Sequence, residues 1–186
     1  TSGMILIKSD NLKNKLGYKA EDKIIILVAR MSWAKGIKQF CESSDLLRKR
    51  YPEVKFLMVG QDDSGSPDSV PESYIKRYEN YENFKHLGYR IDMKELYSIS
   101  YLAVFPSYYR EGGWPRGLTE PMAMGKPVIT SDNKCSAAVI DGYNGLIVPV
   151  KDSIALANSI KKIVNDETLA EKFGQRSREK TLKDLD

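Results

Sequence analysis

The sequence lacks most of the features that would assign it to a membrane, metal-binding or triad-based class of protein. Its apolar runs all fall short of the ~20 residues that a membrane-spanning helix requires, so no transmembrane segment is predicted. Its two cysteines, Cys41 and Cys135, stand too far apart for a metal motif and form no disulfide framework. We therefore expect a reducing compartment, with Cys135 as a small buried residue. The sequence has no nucleophile-elbow motif with which its only histidine, His86, could form a catalytic triad. We therefore expect His86 in the core or at a sheet edge.

A strong excess of charge of one sign is also missing. Lysine and arginine number 29 against 25 aspartates and glutamates, and the net charge of +4 is spread along the chain. Nucleic-acid-binding domains usually gather their basic residues into one stripe, so no nucleic-acid partner is expected. A mildly positive field would favour a diphosphate or an anionic membrane surface, although an ordinary basic surface accounts for most of these charges. We expect a cytoplasmic protein, with peripheral contact at the inner face of the membrane as an open alternative.

Short apolar runs rich in β-branched residues alternate with helical patterns along a chain whose 186 residues suit one domain. Strands are predicted at residues 24–29, 54–59, 84–89, 102–106, 128–130 and 146–150. Helices are predicted at residues 37–47, 71–80, 93–100, 154–164 and 167–182, with Pro71 in a first helical position and Asp92 as an N-cap. This alternation predicts an α/β fold with a doubly wound, open parallel sheet. Ligands of such sheets bind at the carboxyl ends of the strands, where the strand order reverses.

The loop after the first predicted strand carries two cations, Arg30 and Lys35. No Gly-x-Gly-x-x-Gly or Walker motif is present, which disfavours a dinucleotide dehydrogenase and a P-loop enzyme. The fork-shaped guanidinium and the point-charge ammonium suit a diphosphate. A plain solvated surface is the alternative for two cations in one loop. The Ser- and Pro-rich segment 61–73 follows the second strand and is either a lid or a solvated connection.

A second loop, residues 107–120, follows the strand at 102–106. Its glycines let backbone N–H groups approach a ligand, and the helix that follows offers free N–H groups to an anion. Glu111 and Glu120 lie in and after this loop, and a carboxylate can accept hydrogen bonds from two sugar hydroxyls. Tyr108 and Tyr109 are interpreted as pocket wall, acceptor contact or packing.

These segments together resemble a known family. Arg30 with Lys35 and Gly36, and the segments 111–120, 122–129 and 141–148, are similar to the C-terminal domain of the retaining GT-B glycosyltransferases of family GT4. The resemblance runs from about residue 23 to about residue 166. It implies a Rossmann-like domain that forms the C-terminal half of a GT-B fold and binds a UDP-, GDP- or ADP-sugar without a metal. It also implies a preceding N-terminal acceptor domain in the same chain, which makes residues 1–22 a tag remnant and interdomain connection and residues 23–186 the donor-binding domain.

The resemblance implies a role for each matching residue. Arg30 and Lys35 would bind the donor diphosphate and stabilise the departing nucleoside diphosphate. Glu111 would lie against the donor sugar as the catalytic contact, and Glu120 would hold the ribose hydroxyls. Backbone at residues 89–90 would meet the nucleobase, on which Arg90 would stack. The full set of further donor contacts is Tyr89, Arg90, Gly112, Gly113, Trp114, Leu118 and Thr119.

The segment from Glu111 to Pro121 departs from the family pattern in two ways. Eight residues separate Glu111 from Glu120, one more than is usual in the family. Pro121 follows Glu120, and a proline in a helix interior removes a hydrogen bond and clashes with the preceding turn. We therefore expect the helix to start late, near Leu118, and Trp114 to reshape the sugar pocket.

The function that this resemblance implies is retaining transfer of a hexosyl unit from a nucleotide sugar to a sugar or lipid-linked acceptor, in glycan or polysaccharide biosynthesis. The chain alone is expected to bind donor without transferring it. One alternative is a nucleotide-binding module that has lost catalysis. A GT-B sugar-nucleotide epimerase is another alternative, disfavoured because it leaves the paired glutamates unexplained. Basic residues of the last predicted helix would touch either lipid head groups or solvent.

Overall fold

The computed structural model of the chain describes residues 10–112, 114–133 and 137–185, so the predictions for Gly113 and Cys135 lie outside the described residues. Within these ranges the strands form one parallel six-stranded sheet in the order β3-β2-β1-β4-β5-β6. The strands are β1 (Lys23–Val28), β2 (Val54–Val59), β3 (Phe84–His86), β4 (Leu102–Phe105), β5 (Val128–Ser131) and β6 (Gly145–Val148). The predicted α/β, doubly wound, Rossmann-like sheet is confirmed.

Helices cover both faces of this sheet. They are α1 (residues 10–15), α2 (Ile37–Leu47), α3 (Glu72–Glu79), α4 (Met93–Ile99), α5 (Arg116–Ala123), α6 (Ser153–Val164) and α7 (Glu167–Leu185), with a 3-10 turn at Trp33–Lys35. Successive residues of β1 point to opposite faces, as the pleat requires. Ile25 and Leu27 pack in one core with α2, α3, α6 and α7, whereas Ile24 and Ile26 pack in the other with α4 and α5. Because both faces are covered, the central strands are continuously apolar.

The edge strand β3 is shorter than predicted. It ends at His86, whereas the apolar pattern predicted a strand to residue 89. Gly88 has a φ of 67°, which is not an extended conformation and turns the chain out of the sheet. His86 lies on this edge strand as predicted, with Nε2 3.1 Å from the carbonyl oxygen of Gly60. Pro71 precedes α3 as its N-cap instead of occupying the first helical position.

Helix α5 starts earlier than predicted. It begins at Arg116, directly after Pro115, and not near Leu118. The N–H groups of Leu118 and Thr119 both bond to the carbonyl oxygen of Pro115, at 3.0 and 2.9 Å, and so complete the first turn. Pro121 therefore lies beyond the first turn, where it has no N–H to donate to the preceding turn. The prediction of a late start was wrong because the carbonyl oxygen of Pro115, the N-cap residue, already accepts the first regular helical hydrogen bond, from Thr119.

The strand order reverses between β1 and β4. From β1 the chain proceeds outward to β2 and β3, and it then returns to place β4 on the other side of β1. The loops after β1 and β4 consequently meet at the same edge of the sheet. That edge is where doubly wound sheets bind ligands.

Candidate functional site

A cleft of about 490 Å³ opens at the edge of the sheet where the strand order reverses, which we call the switch point. Its walls come from the carboxyl ends of β1 and β2, the turn after β3 and the start of α5. Four of the residues that were predicted to bind a donor line it: Arg30, Tyr89, Arg90 and Glu120. The volume lies within the ~300–1,000 Å³ of typical small-molecule pockets.

A glycine allows α5 to form one wall of the cleft. Gly117 lies in the first turn of α5, and a Cβ atom there would stand 2.5 Å from the carbonyl oxygen of Val28. The same atom would stand 3.2 Å from the Phe105 ring. The helix therefore touches the end of β1 through bare backbone, which brings Glu120, one turn later, to the cleft.

Arg30 extends from the end of β1 toward the loop after β2. Its Nη1 lies 3.1 Å from Oδ1 of Asp63. That loop is bonded to the loop after β1, since Ala34 donates its N–H to Asp68 and Val70 donates its N–H to Met31, each at 2.9 Å. The segment is thus packed along the site, with the guanidinium of Arg30 at the cleft.

Lys35 and Glu111 form an ion pair with each other. The ammonium and the carboxylate are only 15% and 14% exposed, so their attraction is screened less than that of a surface pair. The Ser107 hydroxyl donates to Oε1 of Glu111 at 3.1 Å. The ammonium also lies 5.6 Å from the ring centroid of Tyr109 and 5.9 Å from that of Phe105. Without a ligand, the two charges therefore neutralise each other beside the cleft.

Glu120 faces the cleft from α5 and pairs with Arg116 one turn earlier, at 2.8 Å. Arg116 is 90% exposed, so this pair is easily exchanged for contacts with a ligand. Tyr97 of α4 is fully buried, and among the described residues its hydroxyl has no hydrogen-bond partner. Burial, followed by the charge of Glu120, raises the pKa of Tyr97. Sequence reasoning missed Tyr97 because nothing in an apolar helix stripe indicates that it lies near Glu120.

Tyr89 and Arg90 form the rim of the cleft after β3. Tyr89 is 70% exposed. Arg90 donates two hydrogen bonds to Asp92, from Nε at 2.7 Å and from Nη2 at 2.5 Å. This contact raises the pKa of Arg90 and lowers that of Asp92. Asp92 precedes α4 as predicted, but its side chain holds the guanidinium and makes no cap bond.

Three of the predicted donor contacts point away from the cleft. The side chains of Leu118 and Thr119 are buried, and their N–H groups are bonded within the first turn of α5. Trp114 packs against the core, with Nζ of Lys180 5.5 Å from its ring centroid. The space around the Cα of Gly112 is open. The structure thus brings Arg30, Tyr89, Arg90 and Glu120 together, with the Lys35–Glu111 pair alongside.

The described residues contain no group of three or more His, Cys, Asp or Glu side chains that could hold a metal ion. Independence from metal stays a prediction. Three cationic side chains line the cleft, those of Arg30, Arg90 and Arg116, and Lys35 follows Arg30 in the same loop.

Comparison with known proteins identifies relatives that match most of the chain. A family model for glycosyl transferases group 1 matches residues 8–180. The N,N'-diacetylbacillosaminyl-diphospho-undecaprenol alpha-1,3-N-acetylgalactosaminyltransferase of Campylobacter jejuni is 31% identical over 78% of this chain and 36% of its own length. The capsular polysaccharide biosynthesis glycosyltransferase CapM of Staphylococcus aureus is 28% identical over 94% of this chain and 45% of its own length. The chain thus spans less than half the length of these relatives.

Solved structures show the same fold. The crystal structure of Anabaena Alr3699/HepE in complex with UDP superposes with a TM-score of 0.85 at 25% identity, over 96% of this chain and 49% of that chain. The same Anabaena protein in complex with UDP-glucose gives a TM-score of 0.84.

Proposed function

Because the chain belongs to the glycosyl transferases group 1 family, we propose that it is the donor-binding domain of a retaining glycosyltransferase that uses a nucleotide sugar. The observation that carries the proposal is the cleft at the switch point, which gathers a guanidinium, a carboxylate and an exposed aromatic ring. These groups suit the diphosphate, the ribose and the base of one nucleotide. The Anabaena protein, whose structures hold UDP and UDP-glucose, supports a donor of this class.

Each cleft residue has a role in this proposal. Glu120 accepts hydrogen bonds from the ribose hydroxyls once it leaves Arg116. Arg30 and Lys35 contact the diphosphate, and Tyr89 and Arg90 contact the base. As the bond between sugar and phosphate breaks, negative charge grows on the departing diphosphate, and the fixed cations stabilise that charge more than the ground state. Their charge would make a metal unnecessary.

The Lys35–Glu111 pair suggests an order for donor binding and the release of Glu111. In the free protein Glu111 is held by Lys35 and Ser107. A bound diphosphate offers Lys35 a stronger anionic partner and so releases Glu111. The freed carboxylate then lies against the donor sugar and stabilises positive charge at the anomeric carbon.

The remaining parts of the function lie with the rest of the protein. An N-terminal domain of the same chain would hold the acceptor, a sugar or a lipid-linked sugar, in glycan or polysaccharide biosynthesis. The diphospho-undecaprenol in the name of the Campylobacter relative supports a lipid-linked acceptor, and hence a place at the inner face of the membrane. On this division of labour, the chain alone binds donor without transferring the sugar.

Calorimetric titration of the chain with UDP, GDP and ADP tests the binding part. At least one nucleotide should bind, and Arg30→Gln should weaken that binding about tenfold because it removes a charged hydrogen bond. Lys172→Gln, on the exposed face of α7, should leave the affinity unchanged. The proposal would be contradicted if none of the three nucleotides bound. An unchanged affinity in the Arg30→Gln variant would also contradict it.

One observation favours a second candidate, a nucleotide-binding module without catalysis. Glu111 is engaged by Lys35 and Ser107 and does not line the cleft. Turnover by the full-length protein separates the two candidates. An enzyme loses sugar transfer in Glu111→Gln while nucleotide binding persists, whereas a binding module transfers no sugar before or after the change.

A further inference from the structure

A second pocket of about 290 Å³ is lined in part by Trp33, which lies in the loop that carries Lys35. It is bounded by the 3-10 turn after β1, the first turns of α2, the loop after β4 and the residue that follows Val150. Its lining residues are Trp33, Lys38, Gln39, Glu42, Tyr108 and Lys151. None of these residues lines the cleft at the switch point.

The two aromatic residues of this pocket are bonded to neighbouring segments through their backbone. The Trp33 N–H bonds to the carbonyl oxygen of Asp68 at 2.9 Å, and the Trp33 ring packs edge-on against Tyr74 with centroids 4.9 Å apart. The Tyr108 N–H bonds to the carbonyl oxygen of Ala34 at 2.9 Å. Because the backbone of both residues is hydrogen-bonded and the Trp33 ring is packed, a ligand that lies against the rings orders few mobile groups. Flat apolar surfaces of this kind suit the C–H face of a sugar ring.

The polar side chains of the pocket provide both donors and acceptors. Gln39 is only 6% exposed, and its Oε1 has no hydrogen-bond partner among the described residues. A buried acceptor without a donor is costly, and a shift of the Gln39 side chain toward the pocket would let a ligand hydroxyl satisfy it. Glu42 accepts a hydrogen bond from the Ser153 hydroxyl and lies 3.7 Å from Lys38. An amide, a carboxylate and ammonium groups around two rings match a ligand with several hydroxyls.

Lys151 adds a strained backbone to the pocket. It is the one non-glycine residue with a positive φ in the described part of the chain, at 60°. Its ammonium lies 4.5 Å from the centroid of the Tyr108 ring, and it forms no ion pair with a described residue. Non-glycine residues held in this conformation are concentrated at functional sites.

We propose that this pocket is a carbohydrate site that holds one pyranose ring of an acceptor or product glycan whose remaining part lies against the N-terminal domain. Its volume, at the lower end for small-molecule pockets, suits a single ring better than a nucleotide sugar. Tyr108 lines the pocket, and the next residue, Tyr109, lies over Lys35 beside Glu111. A sugar in the pocket would therefore lie close to the reacting centre of the proposed transferase. The assignment of this sugar to the acceptor rests on the proposed function. The prediction that the pocket binds a sugar does not.

Trp33 makes the pocket directly observable. In a Trp114→Phe background it is the only tryptophan of the chain, so its fluorescence reports on the pocket. Methyl pyranosides of glucose, galactose, mannose, N-acetylglucosamine and glucuronic acid are titrated with and without saturating UDP. At least one pyranoside should shift the Trp33 emission with a Kd in the roughly millimolar range, with UDP present as well as absent. An emission unchanged by all five sugars, or a shift abolished by UDP, would overturn the proposal.

Three variants show where the sugar binds. Gln39→Ala and Tyr108→Ala should each weaken sugar binding at least fivefold, whereas Tyr89→Ala, an aromatic change in the cleft, should leave it unchanged. Circular dichroism confirms that each variant is folded. If Gln39→Ala and Tyr108→Ala fold and bind the sugar as the parent does, the pocket is not the site. Affinities for UDP, GDP and ADP measured on the same samples keep the two proposals separate. Sugar binding by a protein that binds none of the three nucleotides would contradict the donor proposal alone.

Discussion

At the scale of single residues, Lys35 pairs with Glu111, and the proposed function gives it a competing partner, the donor diphosphate. Glu111→Gln removes the competing charge and keeps the side-chain shape. We expect this variant to bind UDP several-fold more tightly than the parent. Lys35→Gln should instead bind UDP about tenfold more weakly, since a charged hydrogen bond contributes roughly 1.5–3 kcal/mol. Calorimetry on the two variants measures both changes.

Ser107→Ala is the control for this pair, because it removes the hydroxyl that contacts Glu111 without changing any charge. Its affinity for UDP should stay within about twofold of the parent's. Equal weakening of UDP binding in Glu111→Gln and Lys35→Gln would show that the two groups act together and do not compete.

Glu120 is expected to recognise the ribose. The Glu120→Gln variant should lose most of the preference for UDP over 2',3'-dideoxyuridine diphosphate, since a carboxylate accepts hydrogen bonds from both hydroxyls. Arg116→Ala should keep that preference, because Arg116 only occupies the carboxylate in the free protein. Affinities of both nucleotides for the three proteins test this. A variant that discriminates between the nucleotides as the parent does would remove Glu120 from the ribose site.

The location of the site residues could be predicted from the sequence, but most of their side-chain contacts could not. Arg30 could be placed at the switch point because strand ends meet at one edge of a parallel sheet, and Glu120 because the segment 111–120 resembles the family's pair of glutamates. The ion pair of Lys35 with Glu111 could not be predicted, because it depends on side-chain directions in two loops that are remote in sequence. Leu118 and Thr119 were named from a motif, but the first turn of α5 turns their side chains into the core.

At the scale of elements, α5 approaches β1 through Gly117. Alanine normally favours a helix over glycine by about 1 kcal/mol. Here the added Cβ would stand 2.5 Å from the carbonyl oxygen of Val28, and overpacking of this kind costs about 1–3 kcal/mol. We expect Gly117→Ala to lower the free energy of unfolding, as measured by urea denaturation.

Gly112→Ala is the matched change in the same loop region, since nothing lies within 4 Å of the Cβ that it would add. It should leave the free energy of unfolding within about 0.5 kcal/mol of the parent's. A Gly117→Ala protein as stable as the Gly112→Ala protein would show that α5 moves freely away from β1.

The elements themselves were largely predictable. Each predicted strand occurs, because buried parallel strands are continuous apolar runs whose ends are marked by turn residues. The errors lie where backbone geometry overrides the pattern. Gly88 ends β3 early, and α5 starts early behind Pro115 as its N-cap, because neither a positive φ nor the position of an N-cap follows from hydrophobic periodicity.

Helix α7 carries the basic residues that suggested membrane contact. Arg176 contacts the carbonyl oxygen and the ring of Tyr143, and Arg178 donates to the carbonyl oxygen of Ala123. These two guanidinium groups thus contribute to packing of α7 on the domain. None of the helices in the described ranges is both long and apolar enough to cross a membrane, and peripheral contact stays a proposal.

At the scale of the whole molecule, the two cores bury acidic groups in their neutral form. Burial raises the pKa of the Cys41 thiol and of the Tyr18 and Tyr97 hydroxyls, with Asp22 and Glu120 adding to the effect at the two tyrosines. The unfolded chain has no such burial, so its thiol and phenols ionise near their ordinary values of about 9 and 10. Above those values the unfolded state binds fewer protons than the folded state. These three groups therefore lower the free energy of unfolding as the pH rises.

We expect this fall to begin near pH 9 and to steepen above pH 10. Each group that ionises only in the unfolded state contributes a slope of about 1.4 kcal/mol per pH unit. Tyr18→Phe and Tyr97→Phe remove two such groups, so the double variant should lose less stability between pH 8 and about 10.5. Tyr89→Phe, at an exposed position, should follow the parent. Urea denaturation across this range gives the slopes, and equal slopes for the parent and the double variant would mean that the two phenols ionise as readily in the folded state as in the unfolded state.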